Sequence, residues 1–220
     1  MNLDFDLIVH SIPAALRGAG ITVVMWIGGG LVAFAIGFLV ALARRYGGGW
    51  VRWGLAGPVE ILRGTPFLIQ LFLLYYGGPF IGLRLEPYEA GFLGTAIYGA
   101  AYFSEIIRAG LEAVPRGHVE AATVLGLTRT QTVARILVPE MTLLILPSSI
   151  NMMIILLKET AVLSIITVPE LTLVVTAIGS AHFAFIEALL LLALIYWGIV
   201  EAASALGRGL ETGLARYRMV

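Results

Sequence analysis

The feature that most constrains this chain is the run Ile21–Ala43, 23 residues without a charge. As a helix it would reach about 34 Å, enough for a bilayer core of about 30 Å. The rest of the chain points the same way. Of 220 residues, 59% are apolar and only 13% charged, against roughly 45–50% and about 25% in soluble domains. So small a particle cannot bury all that apolar surface internally, so lipid must cover part of it. A formal net charge of zero gives no support for a nucleic-acid partner. Without cysteine there are no disulfides, thiolate metal sites or cysteine nucleophiles. Met1–Gly18 carries Asp4 and Asp6 instead of the basic start of a secretory signal, so the first hydrophobic segment is expected to be retained as a span.

Arg44 and Arg45 end the uncharged run, and Gly47–Trp53, with two tryptophans and Arg52, suits the lipid–water interface. A second apolar run, Pro66–Ile81, follows a break at Arg63-Gly64-Thr65-Pro66. After the polar turn of Arg84, Glu86, Pro87 and Glu89, a third segment covers about Gly91–Ala113 and contains Glu105 and Arg108. Val114–Arg135 is too hydrophilic to span. Ile136–Leu157 is the fourth span, and Ala161–Ala177, split by Pro169-Glu170, reads as a bent or re-entrant segment. Phe183–Leu206 is the fifth. The expected fold is an all-α integral membrane protein, a single domain over 1–220 with about five spans and one broken helical piece. The arginines then sort by side. Arg44, Arg45 and Arg52, then Arg116, Arg129 and Arg135, then Arg208, Arg216 and Arg218 all fall on one face. The positive-inside rule makes that face cytoplasmic, with the N-terminus outside and the C-terminus inside.

The internal loop at about 114–135 has its own pattern. Pro115 suits a helix start, Val119–Leu125 is a good helix former, and Gly126 supplies the left-handed residue that stops a helix. Thr128 with Gln131 fits a capping box that starts a second helix. A helix–turn–helix therefore projects between two spans. It is either a solvated connector or a docking element.

The spacing favours docking. Glu120-Ala121-Ala122, three residues, Gly126, nine residues, Ile136, one residue, Val138 and Pro139 resembles the EAA loop of ATP-binding-cassette importer permeases, with Val138 where leucine is usual. The resemblance extends to permeases for polar amino acids of the histidine/glutamine/arginine type. It rests on Arg63-Gly64-Thr65-Pro66 with Gln70-Leu71-Phe72, on Ser104-Glu105-Ile106 with Arg108 and Gly110, and on Asn151, Lys158-Glu159-Thr160, Ser164 and Glu170-Leu171-Thr172. His118 and Glu140 depart from it, since glutamine is common at both, and Glu159 stands where Asp or Asn is frequent. The resemblance implies a type I importer in a prokaryotic inner membrane. Two permease subunits, identical or related, would form the pore. Two ATPase subunits would carry ATP and Mg, with no cofactor in this chain, and an extracytoplasmic binding protein would deliver the amino acid. Glu120, Ala121, Ala122 and Gly126 would couple to the ATPase: the small alanines seat closely, Glu120 meets a basic group, and Gly126 sets the angle.

Ionisable groups within spans cost about 2.5–3.5 kcal/mol at the bilayer centre, so each needs a partner or a role. Glu105 and Arg108 are three apart on one helix face and can pair. Lys158 and Glu159 are expected past the outer end of the fourth span, offering a zwitterion both charge signs or else forming an interfacial pair. With Ser104, Glu105, Asn151 and Gln70 they are the substrate-pathway candidates, although Asn151 and Gln70 could equally bridge helices. Gly28-Gly29-Gly30 suits close helix packing. An ion-coupled secondary amino-acid transporter is the alternative class, but it needs no ATPase docking loop. The chain has no Walker loop, His-Glu-x-x-His or nucleophile elbow, so it is not expected to be an enzyme or to hydrolyse ATP itself.

Overall fold

The computed structural model describes residues 4–215, and among them every regular element is helical. Arg216 and Arg218, used above for orientation, lie outside the described residues. Helix α1 (Phe5–Tyr46) is one element of 42 residues that contains the whole uncharged run. It starts well before Ile21 because Asp4 caps it, its carboxylate accepting the Leu7 amide at 3.0 Å. α2 (Gly49–Gly64) takes in the expected interfacial segment, and α3 (Phe67–Phe72) runs on through a π turn and a 3₁₀ turn to Ile81. The two are bent by 111° at the break around Thr65-Pro66. Gln70 closes that bend, its amide donating to the carbonyls of Leu62 (2.6 Å) and Thr65 (3.1 Å).

α4 (Pro87–Ala113) is the hub of the bundle, with more than half of its 27 residues buried. Its glycines and alanines let neighbours approach closely, which is how helices associate where water supplies no driving force. α1 lies parallel to it, with Gly28 against Phe92 and Gly29 against Thr95, while Gly30 meets Met153 of α7. The triple glycine therefore serves packing, as its setting in an apolar run suggests.

After the short helices α5 (Arg116–Val124) and α6 (Arg129–Thr132), a π turn at Val133–Leu137 leads into α7 (Val138–Glu159). The second helix of the loop is thus not a separate hairpin arm but continues into the fourth span. Pro139 accounts for the π turn: it has no N–H to offer and its ring crowds the carbonyl four residues back, so the ladder shifts by one. α7 runs antiparallel to α4, with Ile145 on Gly110 and Leu156 on Gly99. It ends at Glu159, so Lys158 and Glu159 occupy its last turn rather than lying beyond it.

Beyond α7 come a 3₁₀ segment (Thr160–Ile166), Thr167 at φ 65°, and α8 (Leu171–His182). Leu171 packs on Gly18, and Val175 and Ile178 meet Leu7 and Ile8 of α1. The chain therefore bends here and continues alongside the N-terminal part of α1. A break at this depth frees backbone groups that lipid cannot satisfy. Fully buried Glu170 accepts the Leu173 amide (2.9 Å) and Thr22 Oγ1 accepts that of Leu171 (3.1 Å), while the hydroxyls of Tyr196 (3.0 Å) and Thr22 (3.3 Å) donate to the Glu170 carboxylate. α9 (Phe185–Ala215) returns along the outside.

α1, the α6–α7 run and α9 are each long and apolar enough to cross a membrane, and the bent α2–α3 pair counts as a fourth where it is taken as one broken span. The hub α4, sheathed by the others, brings the crossings to about five. Gly29→Val would put a β-carbon 2.9 Å from Thr95 Cγ2. It should lower stability by about 1–3 kcal/mol through overpacking, read as a reduced Tm of the detergent-purified protein. Gly209→Val, in open space, should leave Tm unchanged.

Candidate functional site

The loop between α4 and α7 is rigidly built. Pro115 precedes α5, and Gly126 at φ 74° ends it in a Schellman turn: the Leu127 amide donates to the Ala122 carbonyl (3.0 Å) and the Gly126 amide to that of Thr123 (3.0 Å). The capping box is complete, Gln131 N donating to Thr128 Oγ1 (3.3 Å) and Thr128 N to Gln131 Oε1 (2.9 Å). His118 Nδ1 lies 2.7 and 2.8 Å from the carboxylate oxygens of Glu140, so α5 is tied directly to the first turn of α7. Two of the departures from the resembling pattern, His118 and Glu140, are thus one interaction.

The loop candidates do not share a face. Glu120 and Ala121 point to solvent, but Ala122 is fully buried against the chain itself. Ala122 therefore lets α5 seat on its own bundle, and only Ala121 is positioned to meet a partner. Val124 and Leu125, 87% and 78% exposed, form an apolar tip that the sequence reading did not single out. Two large apolar residues directly ahead of a stop glycine in a polar loop were the available signal.

Two turns before the end of α4, Glu105 gathers charges from three helices. It accepts from Arg108 Nε (3.0 Å) and Nη2 (2.8 Å), pairs with Arg44 of α1, and has Arg63 of α2 at 3.9 Å. Arg108 in turn grips both oxygens of Glu112 at 2.8 Å. The Glu105–Arg108 pair expected from spacing exists, but it is the centre of a larger staple.

The pathway candidates divide. Ser104 is fully buried and donates to the Ala101 carbonyl of its own helix (2.8 Å). Gln70 is occupied at the α2–α3 bend. Asn151 and Lys158 are exposed on one side of α7 in register with Ser148 and Leu144, with Glu159 half-buried beside them. Ser148 and Leu144 also line a 460 Å³ cavity with Glu105, Ile106 and Arg108. A stripe that carries Ser148, Asn151 and Lys158, with Leu144 and Ile155 in the same register, therefore runs along α7 from the staple to the Lys158–Glu159 end.

A rigid helical loop between two long apolar helices of an all-helical bundle is the geometry of an importer permease, and the comparisons with known proteins agree. Residues 33–216 match the family described as "Binding-protein-dependent transport system inner membrane component". The chain belongs to this family and is a multi-pass inner-membrane protein. It is 34% identical over 211 residues to the "Probable amino-acid ABC transporter permease protein YckA" of Bacillus subtilis, covering 96% of this chain and 93% of that one. It is 33% identical over 217 residues to the glutamine transport system permease protein GlnP of Escherichia coli, covering 96% and 97%. Its fold matches the crystal structure of an amino acid ABC transporter with histidines at a TM-score of 0.88 and 31% identity, over 96% of this chain and 99% of the other.

Removing the staple's centre should be costly. Glu105→Ala leaves Arg44 and Arg108 short of a partner and should destabilise the protein by about 3–5 kcal/mol, seen as a fall in Tm of the solubilised protein. An unchanged Tm would show that the network holds nothing together.

Proposed function

We propose that this chain is the membrane-spanning subunit of an ATP-driven importer that carries a polar amino acid into the cell. One observation carries the reading: an exposed helix with an apolar tip, α5, is locked to two spans by a Schellman turn, a buried alanine and the His118–Glu140 pair. A loop that only connected spans would need none of these. Such a helix, seated in a groove of an ATPase subunit, passes the partner's movement to the bundle as a rigid body. Ala121, Val124 and Leu125 form the seated surface, Glu120 pairs with a basic group at its rim, and Gly126 holds the tip at its angle.

The rest of the assembly follows from that role. Two ATPase subunits supply ATP and Mg, a second permease, identical or related, completes the pore, and an extracytoplasmic protein delivers the substrate. The gathering of Arg44, Arg45, Arg52, Arg108 and Arg116 at the α5 end supports a cytoplasmic placement for that end, with Asp4 and the Arg84–Glu89 turn outside. The stripe on α7 faces the pathway. Lys158 and Glu159 at its outer end present both charges to a zwitterion, and Asn151 and Ser148 continue the path toward Glu105. Glutamine and histidine appear in the names of relatives, so the class is polar amino acids rather than one member.

Uptake by proteoliposomes holding the assembled transporter and its binding protein tests both halves. Ala121→Trp and Gly126→Val, the second forcing a β-branched residue to positive φ, should abolish ATP-driven uptake while the chain still inserts. Glu159→Gln should lower uptake about tenfold or more, most for cationic substrates, with basal ATPase activity retained. Uptake should survive collapse of ion gradients. Normal uptake by Ala121→Trp and Gly126→Val would remove the coupling assignment, and unchanged kinetics in Glu159→Gln would remove the pathway assignment alone.

A further inference from the structure

A cavity of about 490 Å³ lies at the cytoplasmic end of the bundle, walled by four separate elements. α1 contributes Arg44 and Arg45, α2 Arg52, the end of α4 Arg108, Leu111 and Glu112, and α5 Arg116 and Val119. Five arginines therefore surround one space. Glu105 and Glu112 engage Arg44 and Arg108, which offsets two of the five charges. Among the described residues, Arg45, Arg52 and Arg116 have no carboxylate partner; Arg45 donates only to the Leu111 carbonyl (2.6 Å). The buried Nε of Arg44 also lacks an acceptor among the described residues. The positive-inside rule accounts for arginines on this side of the membrane. It does not account for their convergence on one cavity from four elements, where like charges repel unless an anion joins them.

We infer that this cavity binds the phosphate group of an anionic ligand, the headgroup of an anionic phospholipid in the cytoplasmic leaflet. Guanidinium forks match phosphate oxygens in pairs, and they tolerate partial burial better than ammonium groups. The volume falls within the roughly 300–1,000 Å³ of small-molecule sites. The lipid source is favoured over a soluble phosphate by α2. Trp50 and Trp53, 94% and 74% exposed, flank Arg52, and indoles of this kind sit at headgroup level. Basic pockets between spans at that level are where anionic headgroups bind. A phosphate there bridges α1, α2 and α5, so the lipid acts as a tether between the coupling helix and the bundle. The inference is independent of which amino acid is carried.

The test uses the assembled transporter, stripped of native lipid and offered phosphatidylglycerol or phosphatidylcholine, with bound lipid counted by native mass spectrometry. The wild type should retain phosphatidylglycerol selectively. The double variant Arg52→Gln/Arg116→Gln breaks no ion pair, and should lose the lipid by about tenfold or more; Arg84→Gln, at the opposite end of the bundle, should bind as wild type does. Equal retention by the double variant would overturn the site. Displacement of the lipid by millimolar inorganic phosphate would assign the cavity to the soluble anion and overturn the lipid source. Release of the ATPase subunit from the double variant, with lipid binding unchanged, would make the arginines a protein-docking patch and overturn the proposal as well.

Discussion

The end of the bundle that carries the α4–α7 loop depends on one carboxylate. Glu105 of α4 is held by Arg108 of its own helix and by Arg44 of α1, with Arg63 of α2 nearby. Each of these charges would be costly to keep in a low-dielectric bundle alone. Together they satisfy one another and fix where three helices end relative to one another. The arginine-lined cavity shares Arg44 and Arg108 with that point.

The loop proposed for coupling and the side of α7 proposed as the pathway are joined through α4 and α7. α5 hangs from α4 at Val114-Pro115 and is clamped to α7 through His118–Glu140. α7 then presents Ser148, Asn151, Lys158 and Glu159 in turn along one side. A displacement at the tip of α5 would therefore reach the stripe through backbone and the His118–Glu140 hydrogen bond rather than through loose side chains. That is the mechanical requirement for coupling a cytoplasmic motor to a pore.

Much of this was legible because it is local. An uncharged run of 23 residues dictated α1, Gly126 and Thr128–Gln131 dictated the turn, and Gly28–Gly30 dictated close packing. What was missed is long-range. Arg44 read as the end of a span, and its partner lies 61 residues away. Ala121 and Ala122 look equivalent in sequence, yet neighbouring positions on a helix point about 100° apart, and only the bundle decides which one is inside. The break near Pro169 was visible, but its direction depends on Thr22 and Tyr196 meeting Glu170 across 148 and 26 residues. His118 and Glu140 each stood out alone, and their contact needed the fold.

The central claim is that α5 and the α4–α7 frame move as one body. The chain contains no cysteine, so spin labels can be placed cleanly at Thr123→Cys on α5 and Tyr88→Cys at the far end of α4, in a transporter carrying one labelled copy. Pulsed electron resonance would then give their separation with and without ATP. The account predicts the same distance in both states, while the distance from Thr123→Cys to a label on the other permease changes. A shift of the Thr123–Tyr88 distance on ATP binding would mean that the loop flexes against its own bundle, and would contradict rigid coupling.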